Sequence, residues 1–257
     1  MGFKEYERNM SFLDLELSKT LGSSRTQKFL REIHDYVRWE PIDRILMDVY
    51  PVGKAAVGNS AYPPVMLLKA LLLQKWFGIR SDPELENQIN DRLSFKMCIG
   101  LPFGDPSPDH SVISRFRDRV GAKAMERIHA ELLAQLQVKG YSIDAGLAVD
   151  ARLVRSASSP LSKDKLEKIN QQRQQEKKDG KDKPVKFSRD VESDWTVKND
   201  EPLYGMKEHA SIDVKSGLVL TTVLSRASEH DTGYFQYVVI KSMHTRRMLP
   251  VVYADKG

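Results

Sequence analysis

The chain has 257 residues, 40% hydrophobic and 29% charged, an ordinary composition for a folded protein with one large core or two modest ones. Its net charge is +5, but nine Lys/Arg and five Asp/Glu lie between Lys163 and Lys186, so the basicity belongs mostly to that segment and not to a folded face. Cys98 is the only cysteine, which excludes an intrachain disulfide and fits a reducing compartment, and its neighbours Met97 and Ile99 favour a buried, inert thiol.

The N-terminus "MGFKEYERNMSF" lacks the apolar core of a signal peptide. The most apolar run, "VMLLKALLLQKWF", is interrupted by Lys69 and Gln74 and is too short to span a bilayer. These features point to a soluble, cytoplasmic protein with no membrane partner.

Residues 1–139 read as a helical domain. "RTQKFLREIHDYVRW" places Phe29, Ile33, Tyr36 and Val37 on one stripe, with Pro41 just beyond. "YPPVMLLKALLLQKWFG" is apolar nearly all round and closes at Gly78, so it should form the centre of a bundle. "SDPELENQINDRLSFKMCIG" opens with Ser81 or Asp82 as N-cap, carries Pro83 in its first turn and runs to Gly100. A proline-rich turn then leads to a cap at Asp109 or Ser111 and a short helix ending at Gly121. A further helix follows, with Ile128, Leu132, Leu133 and Leu136 as its core stripe.

At Gly140 the periodicity changes. "YSIDAGLAVDARLVRS" alternates as a strand, and "YGMKEHASIDVKSGLVLTTVLSRASEHD" reads as a hairpin turning at Lys215, Ser216 and Gly217. "TGYFQYVVIKSMHTR" predicts an amphipathic helix and "MLPVVYAD" a final strand. Residues 161–194 form a long, polar, basic insertion after the first strand, expected to be a flexible or fraying helical excursion. It serves either as a solvated arm or as an arm that contacts nucleic acid.

Four stretches could carry chemistry. Asp150 interrupts an apolar strand, where an unpaired carboxylate is costly to bury; either Arg152 or Arg155 neutralises it, or it binds a cation. Asp255 follows a strand that should lie beside the first. Two carboxylates at neighbouring strand ends would suit a divalent metal, and the alternative is a turn aspartate before Gly257. Lys207 and His209 share one strand face, where they either meet phosphate beside that metal or form an ordinary polar surface. Arg115, Arg117 and Arg119 decorate a helix that buries Ile113, Phe116 and Val120, which suits either DNA phosphates or solvent. No phosphate loop of the GxxxxGK[ST] type, no Cys/His zinc pattern and no GxSxG elbow occurs.

Taken in order, these motifs resemble bacterial insertion-sequence transposases of the DDE type, the group around insertion sequence five. "YPPVMLLKALLLQKWFGIRSDPELENQINDRLSFKMCIGL" with "PDHSVISRFRDRV" is similar to their helical N-terminal domain. "LAVDARLVRS", the hairpin with "ASEHDT", and "VVYADKG" are similar to the strands of their catalytic domain, a match over roughly residues 30–257. The resemblance implies an α+β chain: a helical DNA-binding domain at 1–139, then an incomplete ribonuclease H-like α/β domain at 140–257 with a long polar insertion. It also implies Asp150 and Asp255 as the first two catalytic and metal-binding acids, Mg²⁺ as cofactor and the element's terminal inverted repeats as DNA substrate. A second copy or full-length transposase would be the protein partner.

The family's third acid, a glutamate on a helix downstream, has no counterpart here, because the sequence stops two residues after Asp255. The expectation is therefore a C-terminally truncated transposase, inactive alone in strand transfer. The alternative is a non-catalytic DNA-binding fragment that represses or competes with the full-length enzyme. An incomplete sheet should also leave Val251, Val252 and Tyr253 exposed, inviting aggregation or pairing with another chain.

Overall fold

Helix caps and glycine stops set the boundaries of the first half. The computed structural model describes residues 2–6, 16, 19, 24–50, 52, 60–141, 146–156, 162–178, 192–198, 200–243 and 251–254. Among these lie eight helices and a five-stranded mixed sheet, an α+β protein. The chain divides into two compact units, Met1–Lys139 and Gly140–Gly257. None of the described helices is long and apolar enough to cross a membrane.

In the first unit, α1 (Arg25–Tyr36) is capped by Ser24, whose Oγ accepts from the Gln27 backbone N–H. Its core residue is Leu30, with Ile33 and Val37 half-buried; Phe29 and Tyr36 are exposed, which corrects the expected stripe. These two rings lie against other surface groups instead. Phe29 packs edge-on against Trp76, and Lys139 Nζ lies 3.8 Å from the Tyr36 ring.

A second helix not foreseen from the sequence, α2 (Trp39–Val49), follows at once and carries Pro41 in its first turn, where a missing N–H costs nothing. Its Ile42 and Leu46 are buried. The central α3 (Pro64–Trp76) is buried on nearly every side and ends before Gly78, whose φ is +62°.

The run up to Gly100 is two helices, not one: α4 (Asp82–Asp91) and α5 (Leu93–Ile99), broken at Arg92 (φ −105°, ψ 109°). Ser81 caps the first, and Gly100 at φ +79° stops the second. Then α6 (His110–Val138), capped by Asp109, kinks at Gly121 (φ 64°, ψ 176°). Leu46, Leu67, Leu73, Leu85, Phe95 and Phe116 are fully buried in the shared core. Among the buried polar groups there, Lys96 Nζ donates to the carbonyls of Phe103 and Asp105, both at 2.8 Å.

The second unit is built on a long strand. β1 (Leu147–Arg155) is followed by the insertion helix α7 (Lys163–Lys178), by β2 (Asp194–Lys198), which had not been foreseen, and by β3 (Glu201–Asp213). β4 (Val219–Arg226), α8 (Thr232–Met243) and β5 (Val252–Ala254) complete it. β3 pairs antiparallel with β1 along one edge, and with β2 and then β4 along the other. β5 lies parallel to β1, joined through the crossover that contains α8.

The β3–β4 turn is tied by Asp213, whose Oδ2 accepts from the Ser216 N–H and hydroxyl at 2.8 Å, with Gly217 at φ +70°. α8 covers the sheet face that bears His209 and Ser211; Ser211 Oγ lies 2.6 Å from Ser242 Oγ. The opposite face is open. Trp195, Val197, Leu224 and Tyr253 are each at least half exposed, and Val251 just before β5 is 45% exposed.

Candidate functional site

Asp150 stands in the middle of β1 and is exposed to solvent. It pairs with Ala210, while its neighbour Ala151 pairs with His209. Successive side chains of a strand point to opposite faces, so Asp150 lies on the open face and His209 on the face covered by α8. The Ala151 N–H donates to Asp150 Oδ1 at 2.7 Å.

Among the described residues no cation pairs with Asp150. Arg152 Nε donates to Glu208, and Arg155 Nη2 lies 3.7 Å from Glu201. Neither arginine neutralises Asp150, and its exposure removes the burial cost that such a pair would offset. Asp150 lines a cleft of about 380 Å³ with Arg152, Arg155, Lys198 and Glu201. Lys198 belongs to β2, a strand missed in the sequence although the alternation in "DWTVK" is visible there.

The last described pair of β1 with β5 is Val149 with Ala254. Asp255, the next residue, lies outside the described residues.

Lys207 and His209 do not join Asp150. Both point under α8, where His209 is 2% exposed, stacks on Tyr234 at 4.6 Å and lies 2.8 Å from Ser225 Oγ. Lys207 Nζ donates to the Glu229 carbonyl at 2.7 Å and meets Asp231 at 2.9 Å. The expectation that these two residues face phosphate beside Asp150 is thereby corrected. Their shared face was read properly, but the pairing register turns that face away.

Burial holds His209 below the usual imidazole range, with Asp231 opposing and Lys207 reinforcing the shift. The unfolded chain takes up a proton below pH of about 6.5 that folded His209 resists, so acid favours unfolding. The second unit should therefore keep its full stability above pH of about 6.5 and lose up to about 1.4 kcal/mol per pH unit below it, down to the folded pKa. Urea midpoints at pH 7.5 and 5.5, followed by Trp195 fluorescence, check this; His209→Gln should flatten the difference.

In the first unit the three arginines of α6 part company. Arg117 forms two bonds to Asp82, at 2.6 and 3.0 Å, and a third to Gln74 Oε1 at 3.1 Å. That pair holds the Asp82 carboxyl below its usual range. Arg115 and Arg119 are exposed on another side of the helix and form no salt bridge among the described residues, although the Arg115 charge helps to lower the Asp109 carboxyl. Helical geometry explains the split, since positions four apart share a side and positions two apart do not.

One group of described residues brings three potential metal ligands together, Glu86, Asp109 and His110, with ligand atoms within 4.8 Å. Its contacts are those of a helix start. Glu86 Oε2 lies 2.8 Å from both the backbone nitrogen and Nδ1 of His110, raising the imidazole pKa, while Asp109 caps α6.

Residues 19–119 match the family model described as Transposase domain (DUF772), a stretch that begins before α1 and ends at Arg119 in α6. The match supports an insertion-sequence transposase, a class of protein that binds DNA. No solved structure matches the chain.

Proposed function

We propose that this chain is a DDE-type insertion-sequence transposase whose sheet unit is ribonuclease H-like, with Asp150 and Asp255 as its first two catalytic acids. The observation that carries the reading is an exposed carboxylate at mid-strand, on a strand whose parallel neighbour leads directly into a second aspartate. The strand order β4–β3–β1–β5, antiparallel except for the last pair, supports the fold assignment.

Carboxylate oxygens are hard donors that suit Mg²⁺, and Asp150 is open to solvent and forms no salt bridge among the described residues. Asp150 and Asp255 would hold the ion. Bound there, Mg²⁺ would supply activation of the attacking oxygen and stabilisation of the leaving oxygen at phosphorus. Arg152, Arg155 and Lys198, which share the cleft with Asp150, would carry the DNA phosphate on that face. The Ala151 N–H holds the Asp150 carboxylate in place. The substrate in this reading is the terminal inverted repeats of the element, and the helical unit binds DNA.

A polypeptide that contains residues 1–257 should bind terminal-repeat DNA. Asp150→Asn should weaken Mn²⁺ binding, used as a paramagnetic probe for Mg²⁺, by about tenfold or more without loss of fold. Wild-type Mn²⁺ affinity in the variant, or robust cutting by residues 1–257 that survives the substitution, would remove Asp150 from the site.

A further inference from the structure

The first unit contains a basic cleft that is separate from the Arg117–Asp82 pair. Its volume is about 800 Å³, and Lys4, Arg115, Arg119, Tyr50, Ser60 and Tyr62 are among the residues that line it. Three of its lining residues are cations and none is a carboxylate. That imbalance is unlike an ordinary solvated surface, where both signs of charge mix.

Arg115 Nε donates to the Ser111 carbonyl at 2.9 Å and its Nη2 to Ser111 Oγ at 3.0 Å, which orients the guanidinium; Asp109 feels its charge, but no salt bridge forms to it among the described residues. Arg119 lies one helical turn further along the same side of α6. Lys4 comes from the distant N-terminus and is fixed there by its own backbone. Its N–H donates to the Ala61 carbonyl at 2.8 Å, and Phe3 bridges Ala61 in parallel. Its Nζ sits 3.9 Å from the centre of the Tyr62 ring, a ring stacked in turn on Tyr6.

We propose that this cleft, bounded by Lys4, Arg115 and Arg119, grips the phosphate backbone of duplex DNA; the proposal rests on the transposase reading and names which part of the helical unit touches the substrate. Guanidinium forks match phosphate oxygens in pairs, and the hydroxyls of Ser60 and Tyr62 add neutral donors to the same wall. A cleft of this size with three separated cations suits a polyanion better than a single small anion. Such contacts fix position on the backbone and carry no base information.

The test is fluorescence anisotropy with a labelled mixed-sequence duplex, titrated across a range of salt concentrations. Each of Arg115→Gln, Arg119→Gln and Lys4→Gln should reduce the slope of log K against log salt by about 0.9, and the arginine pair together by about 1.8. Affinity at low salt should fall roughly 5- to 10-fold per arginine. Arg127→Gln, which removes an exposed cation paired with Asp48 elsewhere on the unit, should leave the slope unchanged. The Lys4 substitution, being off α6, keeps the test valid even if changes on that helix lower its stability. If the wild-type chain fails to bind the duplex at low salt, the DNA-binding reading falls and this site with it. If the wild type binds and all three variants keep its slope and affinity, the cleft is excluded while the broader reading stands.

Discussion

Phe116→Ala lowers the stability of the helical unit by about 3–5 kcal/mol, the range for emptying a fully buried aromatic site. Phe116 is completely buried and meets the ring of Tyr50 edge-on, with centroids 5.2 Å apart and planes at 74°. The pair closes the C-terminal end of α2 against α6, so the substitution removes both core volume and an aromatic contact. A typical domain has only about 5–15 kcal/mol in total, so a large share of the unit's stability is at stake. Urea unfolding followed by helical circular dichroism measures it, and a loss below about 1 kcal/mol would mean that the core is not packed this way. Function should follow structure here. Arg115 flanks Phe116 in sequence and Tyr50 lines the basic cleft, so DNA affinity should drop even where the variant remains mostly folded.

Much of the helical unit was legible because its signals are local. Ser81 and Asp109 cap where capping residues stand before apolar runs, and Gly78, Gly100 and Gly121 sit at positive φ where helices stop or kink. The missed helix Trp39–Val49 has a plain apolar spacing in Ile42, Leu46 and Val49, but Pro41 read as a terminator when it was a first-turn residue. The break at Arg92 has no local marker. It arises because two short helices pack separately, with Ile89 and Phe95 both fully buried.

The sheet was legible in its strands and opaque in its register. Period two shows that Lys207 and His209 share a face, but not which residue of β1, more than fifty positions earlier, lies opposite each. The pairing of Asp150 with Ala210 decides that Asp150 meets solvent while His209 packs under Tyr234. Likewise, the grouping of Arg155 and Lys198 around Asp150 depends on where the chain goes after the insertion, which composition does not encode. The aspartate itself was conspicuous for a simple reason. A carboxylate between apolar strand residues is expensive unless it has an opening or a partner, and here it has an opening.

Gly205→Ala should cost the second unit about 3 kcal/mol, because β1 and β3 approach too closely at that point for any side chain. A Cβ added to Gly205 would lie 2.1 Å from the Val154 carbonyl oxygen and 3.0 Å from Arg155 Cα, both backbone atoms that no rotamer change can move. Gly205 pairs with Arg155 on one side and Asp194 on the other, so relief requires β1 to swing away from β3 at its C-terminal end. Trp195 packs on Tyr204 next to the glycine, with ring centroids 5.4 Å apart, and its fluorescence reports the opening directly. Asp150 lies five residues back along the displaced strand, and the cleft it lines includes Arg155. If Asp150 holds the ion as proposed, the variant should bind Mn²⁺ more weakly than wild type even in conditions where both are folded. Unchanged stability together with unchanged Mn²⁺ affinity would show that the strands do not meet this closely in solution.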